Sequence, residues 1–462
     1  TGVLPFAKGR IRRLAVIGPN AGVARLGGGG SSTVRSPYSV SPLEGIRKLC
    51  GSDVEVVFAR GISMGDLDPV PASALRTPDG KPGLRAEYFN NPNFIGTPVL
   101  TRVDKTVAFD WGDTPPCATL AADNYGVRWT GRLVAPASGR YEFSLNSDDG
   151  SRVFLDDKQL VDNWGDHGPR VRTASVELVK GRAYNLRIEY FENSGGSLVR
   201  FGWMPPGNSL LAEAVSAAKR CDAAVVCIGL SDLLEGEGAD RKTMMLPNGQ
   251  DSLVQAIVAA NPRTVVVLVN GTPVDMRAWV EQVPAIVEAW YPGMEGGTAI
   301  ANILFGLVNP SGKLPVTFPQ RLEDNPSWGN YPGDGDKVRY SEGVFVGYRH
   351  YDAKNVVPLF PFGHGLSYTA FTYGDLRLTK LENGACEVSF DVANTGTCLG
   401  TEVAQVYVHD QEASVPRPVR ELKAFKKVRL APGEKTRVTL RLESRAFSFY
   451  DVKSRGWLLE PG

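Results

Sequence analysis

The strongest constraint on the fold is a hydrophobic periodicity that changes twice along the chain. Continuous apolar runs such as Leu14–Ile17 and Ala223–Leu230 predict strands of a parallel sheet covered on both faces. Between them, from Leu84 to about Trp203, apolar and polar residues alternate with a period of two, as they do in Tyr141–Leu145. Such alternation is typical of antiparallel strands with one face toward solvent. An all-β stretch is therefore predicted between two α/β stretches.

The two α/β stretches are predicted to form one domain. The first supplies only two strands, Leu14–Ile17 and Val54–Phe58, which are too few for a stable doubly wound sheet. Helices and strands alternate again after Pro205-Pro206-Gly207. An α/β domain interrupted by an all-β insertion in a surface loop satisfies both observations, because surface loops tolerate insertions best.

Beyond Leu376 the chain returns to short strands separated by turns such as Pro432-Gly433, and this spacing predicts an immunoglobulin-like sandwich. The last residues, from Trp457 onward, contain no apolar run for a final strand, so we expect the last sheet to lack one edge. The predicted domain boundaries are 1–82 for the first α/β part, 83–207 for the insertion, 208–370 for the second α/β part with a linker, and 371–462 for the sandwich.

Charge and cysteine content exclude several classes of function. The chain carries 51 Lys+Arg against 50 Asp+Glu, a net charge of +1, so no dominant basic surface for nucleic acid is expected. No apolar run approaches the roughly 18 residues of a membrane helix. With six cysteines, no CxxC motif and four histidines, neither a disulfide scaffold nor a metal site is predicted.

The glycines Gly27–Gly30 follow the first strand, but their spacing does not fit a dinucleotide fingerprint. We predict instead that they allow another part of the backbone to approach closely. No cofactor is expected.

Two polar turns of the all-β stretch are candidate sugar-binding elements. Asp149 lies in the turn Asp148-Asp149-Gly150, and Trp164 and His167 lie in Asp162–Gly168. Carboxylate, imidazole and indole groups suit hydrogen bonding and stacking against a sugar. The simpler alternatives are that Asp-Gly forms an ordinary hairpin turn, that His167 is a solvated loop residue, and that Trp164 packs beneath its own loop.

The acidic segment Glu235–Arg241 follows the buried strand Ala223–Leu230, at the sheet edge where open α/β folds place their ligand sites. Glycines on both sides of Glu237 suit a carboxylate on a close-approaching loop. Asp240 and Arg241 offer an ion pair that would support the loop. On these residues alone, a solvated acidic loop is the simpler interpretation.

Several long motifs in one order carry a family resemblance. They are Ala15-Val16-Ile17-Gly18-Pro19-Asn20-Ala21, Ser41-Pro42-Leu43-Glu44-Gly45, Glu237-Gly238-Ala239-Asp240-Arg241, Gly312-Lys313-Leu314-Pro315-Val316-Thr317-Phe318-Pro319, Tyr340–Arg349 and Phe360–Tyr368. With them the chain resembles the C-terminal two-thirds of a glycoside hydrolase family 3 enzyme of the β-glucosidase type. The all-β stretch resembles a PA14 domain, through Ala86–Phe89 and Ser147–Arg152, and the tail resembles a fibronectin-III-like domain.

The resemblance implies a retaining, exo-acting hydrolase that releases a terminal β-linked sugar from an oligosaccharide or glycoside. Glu237 matches the family's acid/base, with Glu235 as the rival within the loop. The aspartate nucleophile of such enzymes lies on a TIM-like barrel, and no eightfold βα repeat occurs in this chain. The barrel is therefore expected as a partner, in the same protein or a separate chain. A β-xylosidase of the same family and a non-catalytic carbohydrate-binding module are the alternatives, and the oligomeric state stays open.

Overall fold

The computed structural model describes residues 2–34, 36–65, 67–207, 209–232, 234–237 and 240–461. The chain divides into two compact units, one formed by Thr1–Ala59 with Val215–Gly462 and the other by Arg60–Ala214. In sequence, the second unit is thus inserted between two stretches of the first.

The first stretch contains strand β1 (Arg13–Ile17), helix α1 (Pro42–Cys50) and strand β2 (Glu55–Ala59). The residues Ser41-Pro42-Leu43-Glu44 predict a helix start with an N-cap and a proline at the first helical position, and helix α1 begins in this way. The Ser41 hydroxyl accepts the Glu44 N–H, the Glu44 carboxylate accepts the Ser41 N–H, and Pro42 occupies the first helical position. This capping box fixes the point at which the chain leaves the glycine-rich loop and enters the helix.

The inserted unit is built of antiparallel strands: β3 (Leu75–Arg76), β4 (Leu84–Phe89), β5 (Leu100–Asp104), β6 (Ala108–Gly112), β7 (Tyr125–Val134), β8 (Gly139–Asp148), β9 (Ser151–Leu155), β10 (Lys158–Asn163), β11 (Arg170–Leu178), β12 (Ala183–Glu192) and β13 (Ser197–Met204). One sheet has the order β10-β9-β12-β7-β4-β5, with β3 also paired to β7, and the other has the order β11-β8-β13-β6. Buried aromatic residues of both sheets, including Trp129, Tyr88, Phe143 and Phe201, share one core. The two sheets therefore pack face to face.

The second stretch of the larger unit continues with α2 (Leu210–Lys219), β14 (Ala223–Gly229), α3 (Gln250–Ala260), β15 (Thr264–Val269), β16 (Ala285–Glu288), α4 (Gly296–Leu304) and α5 (Tyr348–Lys354). Its parallel sheet has the order β16-β15-β14-β1-β2. Leu14 of β1 lies between Ala223 of β14 and Val56 of β2. The prediction that Val54–Phe58 and Ala223–Leu230 belong to one sheet is confirmed.

The C-terminal part is all antiparallel: β17 (Phe371–Lys380), β18 (Cys386–Asn394), β19 (Gly400–Val408), β20 (Glu421–Leu430), β21 (Lys435–Leu442), β22 (Ser448–Asp451) and β23 (Gly456–Leu459). The strands form the sheets β17-β18-β21 and β19-β20 and the hairpin β22-β23. Val388, Phe390 and Val392 of β18 are buried in its core together with residues of β19, β20 and β21.

Strand β23 corrects the expectation that no strand follows Trp457. The Trp457 ring packs edge-on against Tyr450 with centroids 5.8 Å apart, and the Arg445 guanidinium lies 3.9 Å from its centroid. These contacts favour the β22-β23 hairpin although most side chains of β23 are exposed. A search for an apolar run misses such a strand.

Short 3₁₀ turns complete the secondary structure, at Lys8–Arg10, Gly30–Ser32, Ala72–Ala74, Pro247–Gly249, Val280–Gln282, Leu322–Asp324, Glu382–Gly384 and Ser444–Phe447. Among the residues that the structure describes, no helix is both long and apolar enough to cross a membrane.

Candidate active site

The carboxyl edge of the parallel sheet gathers the polar residues of the larger unit. Residues 231–241, called the acidic loop from here on, contain the predicted acidic segment and follow β14. Gly271 and Thr272 follow β15, and Tyr291 follows β16. Parallel strands end at the same edge, so residues far apart in sequence meet there. Three residues of the acidic loop, Leu233, Gly238 and Ala239, lie outside the described residues. That Gly238 helps the loop to approach closely therefore stays a prediction.

The glycine loop, Gly27–Gly30, lies against the acidic loop. The Gly29 N–H donates to the Glu235 carbonyl at 2.7 Å, and Gly29 forms a parallel bridge with Gly236. A Cβ on Gly29 would lie 2.6 Å from the Asp232 carbonyl oxygen, so a side chain there would force the two loops apart. The prediction that these glycines allow a close approach of another backbone segment is confirmed.

The Glu237 carboxylate lies on the solvent side of this contact. The Glu237 residue is exposed, and its Oε2 accepts the Ser31 N–H at 3.1 Å. Hydrogen bonding by Ser31, through its hydroxyl and then its backbone N–H, lowers the pKa of Glu237. Ser31 therefore holds this carboxylate, while the Glu237 residue stays exposed to solvent.

The Glu235 carboxylate has the opposite environment, although it lies only two residues away. Its side chain is 9% exposed. Oε2 accepts the Gly271 N–H at 2.7 Å and the Tyr291 hydroxyl at 2.6 Å, and Oε1 accepts the Thr272 hydroxyl. The Arg241 Nη1 lies 3.8 Å from Oε1. Both oxygens of Glu235 are engaged by groups of the same unit.

Asp240 and Arg241 contact partners other than the one expected. In place of the predicted ion pair between them, Arg241 pairs with Glu235 and donates to the Thr272 hydroxyl at 2.8 Å. The Asp240 carboxylate accepts the Tyr331 hydroxyl. Spacing alone could not show this, because Thr272 and Tyr331 lie on later loops and Glu235 is brought to Arg241 by the fold of the acidic loop.

Glu288, Thr272 and Tyr291 were not singled out from the sequence. The Glu288 carboxylate accepts the Trp290 N–H at 2.9 Å and the Asn270 side-chain amide at 3.4 Å, and burial raises its pKa to about 8. Burial, followed by the Glu235 carboxylate, raises the pKa of Tyr291. Their position in the sequence was the available signal, since all three residues lie at or just beyond the carboxyl ends of strands of the parallel sheet.

The sugar-binding candidates of the inserted unit lie close together. The Asp149 carboxylate is buried and accepts the backbone N–H groups of His167 at 2.9 Å and of Asn193 at 2.8 Å. The two His167 ring nitrogens lie 2.8 Å from the carbonyl oxygens of Gly168 and Asn163. These contacts join the two turns.

The Trp164 ring packs against three neighbours of the same unit, of which Phe94 has its ring centroid 6.3 Å away. It lies edge-on to Phe191, with centroids 4.7 Å apart, and the Arg152 guanidinium lies 4.1 Å from its centroid. A role of Asp149, Trp164 and His167 in binding sugar stays a prediction. Across the described parts of both units, no group of three or more His, Cys, Asp or Glu side chains is placed to hold a metal ion.

Comparison with known proteins identifies the family. The glycosyl hydrolase family 3 C-terminal domain matches residues 1–368, and the fibronectin type III-like domain matches residues 402–462. The chain is 38% identical to a β-glucosidase of Rhizobium radiobacter and 35% identical to a probable β-glucosidase K of Emericella nidulans. In both cases the alignment covers 100% of this chain and 58% of the relative, so the chain spans less than two thirds of their length.

Solved structures agree in fold. The β-glucosidase of Kluyveromyces marxianus in complex with glucose has a TM-score of 0.77 at 34% identity, covering 99% of this chain and 57% of that one. The β-glucosidase of Streptomyces venezuelae in complex with D-glucose has a TM-score of 0.72 at 31% identity, covering 99% of this chain and 54% of that one. By the extent of its match to the family's C-terminal domain, this chain belongs to glycosyl hydrolase family 3.

Proposed function

We propose that this chain forms the acid/base side of a retaining, exo-acting β-glucosidase that releases terminal glucose from oligosaccharides or glycosides. The proposal rests mainly on the different surroundings of two carboxylates in the acidic loop, those of Glu235 and Glu237. Glu237 presents a solvent-facing carboxylate at the carboxyl edge of the sheet, whereas Glu235 is engaged on both oxygens. A general acid must reach the glycosidic oxygen, and the exposed carboxylate of Glu237 is accessible to a substrate, whereas the Glu235 side chain is only 9% exposed.

In this mechanism Glu237 protonates the departing glycosidic oxygen and afterwards deprotonates the water that cleaves the glycosyl-enzyme. The nucleophile is an aspartate on a TIM-like barrel outside this chain. The shorter span of the chain relative to its matched β-glucosidases supports such a partner. The larger unit thus supplies the leaving-group side of the pocket.

The acid role requires a pKa that the isolated chain does not provide. Ser31 lowers the pKa of Glu237, whereas a general acid must hold its proton near neutral pH. A covering barrel would remove water and bring the nucleophile carboxylate to roughly 5–5.5 Å, and both effects raise the pKa of the acid. The proposed acid is therefore completed by the partner.

The inserted unit is proposed to be a PA14-like domain that binds part of the sugar substrate. Its two-sheet core and the turn contacts of Asp149, Trp164 and His167 are compatible with a rigid platform for sugar binding.

The test uses the complete enzyme, meaning this chain together with its barrel. It should hydrolyse phenyl β-glucoside faster than phenyl β-xyloside, and Glu237→Gln should lower kcat/KM for the glucoside by roughly 10²–10⁴-fold. Asp232→Asn is the matched control, because this exposed carboxylate lies in the same loop and pairs with Arg25. Faster xyloside cleavage would favour a β-xylosidase, and sugar binding without hydrolysis would favour a binding module.

A further inference from the structure

The Glu235 carboxylate is surrounded by four polar groups, which come from three separate loops. Gly271 and Thr272 follow β15, Tyr291 follows β16, and Arg241 lies in the acidic loop itself. The side chain of Arg241 is 18% exposed, and that of Glu235 is 9% exposed. A buried carboxylate held by several donors is costly to displace, because each donor would lose a strong partner.

The backbone of the same residue is equally constrained. The Glu235 N–H donates to the Ser231 carbonyl at 2.9 Å, and its carbonyl accepts the Gly29 N–H at 2.7 Å. The next residue, Gly236, forms the parallel bridge with Gly29. Glu235 therefore connects the acidic loop to the glycine loop through its backbone and to the strand ends through its side chain.

This connection ends at Glu237. The Ser31 N–H, one residue beyond the glycine loop, donates to the Glu237 carboxylate. Fixing the acidic loop on the glycine loop thus fixes the distance between Ser31 and Glu237. A displacement of about 1 Å in a catalytic group can cost about 10²-fold in rate.

We propose that Glu235 is a positioning residue, which holds the loop so that the Glu237 carboxylate is presented at a fixed place. The proposal rests on the proposed function, because it assigns the acid/base role to Glu237. Glu235 itself transfers no proton and contacts no substrate.

The test compares Glu235→Ala with Asp222→Ala in the complete enzyme. Asp222 is the matched control, because its carboxylate accepts the N–H groups of Arg12 and Arg13 just before β14, at the opposite end of that strand. Glu235→Ala should lower kcat/KM for phenyl β-glucoside about 10–100-fold, and that for 2,4-dinitrophenyl β-glucoside much less, since the latter leaving group needs little protonation. Asp222→Ala should change both substrates equally.

A second readout needs no activity. In this chain alone, amide hydrogen exchange at Gly29 should be at least about tenfold faster in Glu235→Ala, because the loop contact opens more often. Asp222→Ala should leave exchange at Gly29 unchanged. Glu235→Gln should restore part of the protection, since its amide oxygen can still accept the Gly271 N–H.

Two outcomes would overturn the proposal and leave the proposed function standing. One is an equal loss of kcat/KM for both glucosides in Glu235→Ala. The other is an unchanged rate of amide hydrogen exchange at Gly29 in that variant. In both cases Glu237→Gln would still have a lowered kcat/KM. A Glu237→Gln variant of normal activity would instead overturn the acid/base assignment on which the proposal rests.

Discussion

Glu235 and Glu237 are two residues apart and have different chemistry because of what surrounds them. The donors to Glu235 belong to Gly271, Thr272 and Tyr291, whereas Glu237 meets Ser31. The sequence predicted a functional carboxylate in this loop. It could not separate the two residues by spacing alone, because their partners come from other strand ends.

Glu192 in the inserted unit provides a test at the residue scale that is independent of catalysis. It is fully buried, and it accepts the Tyr190 hydroxyl at 2.9 Å. Burial raises its pKa from 4.5 to about 8. The folded state therefore keeps a proton that the unfolded state loses, so the free energy of unfolding should fall as the pH rises from about 4.5 to about 8.

Glu192→Gln is neutral at every pH and should remove the contribution of Glu192 to this fall, whereas that of Glu288, whose pKa burial also raises to about 8, remains in both chains and cancels in their comparison. Asp148, whose pKa burial raises to about 6, contributes in the same direction at lower pH, so the informative window is pH 6–8. In thermal unfolding, the Tm of Glu192→Gln minus the Tm of the wild type should increase as the pH rises from 6 to 8. Glu142→Gln, at an exposed position of β8, is the control. A difference that is constant with pH would contradict the burial of a protonated Glu192.

At the scale of elements, the glycine loop was predicted correctly. Glycine has no Cβ, so a run of glycines indicates from the sequence alone that another backbone segment can approach closely. The start of α1 was equally local, and the N-cap with proline at the first helical position was predicted from Ser41 and Pro42. Strand β23 was missed because its stability comes from the contacts of Trp457 with Tyr450 and Arg445.

Gly30→Ala tests the contact between the glycine loop and the acidic loop. Gly30 has φ +77°, and a Cβ there would lie 2.6 Å from the Glu237 Cβ. We expect a loss of about 10–100-fold in kcat/KM for phenyl β-glucoside, because Glu237 must move. Gly51→Ala is the matched control, since Gly51 has φ +58° but nothing within 4 Å of the added Cβ.

Both substitutions impose a left-handed backbone on alanine, so both should lower Tm. Only Gly30→Ala should lower kcat/KM. Equal activity in the two variants would show that Glu237 is not held by this contact.

At the scale of the whole molecule, the change in periodicity predicted an insertion, and the parallel sheet joins strands from both sides of it. The start of the inserted unit could not be located from periodicity, because the residues before position 83 that pair with it form only the two-residue strand β3 and isolated backbone contacts. The Val70 N–H donates to the Phe201 carbonyl at 3.1 Å, and the Trp203 N–H donates to the Asp68 carbonyl at 2.9 Å.

Replacing residues 62–207 by a short Gly/Ser linker should therefore leave the larger unit folded. Its core and that of the inserted unit are formed by different residues, and the cost of closing a loop changes only slowly with its length. Calorimetry should show a cooperative unfolding transition for the shortened chain. A broad, non-cooperative transition would mean that the larger unit needs the insertion to fold.

The central claim is that Glu237 is the acid/base of a retaining hydrolase, and azide tests it most directly. In the complete enzyme, Glu237→Ala should still form the glycosyl-enzyme from 2,4-dinitrophenyl β-glucoside, because this leaving group departs without a proton. Azide should then attack without a general base, raise turnover and yield β-glucosyl azide, identified by its anomeric proton signal in NMR. No azide product from Glu237→Ala, or β-glucosyl azide from Glu235→Ala in its place, would contradict the claim.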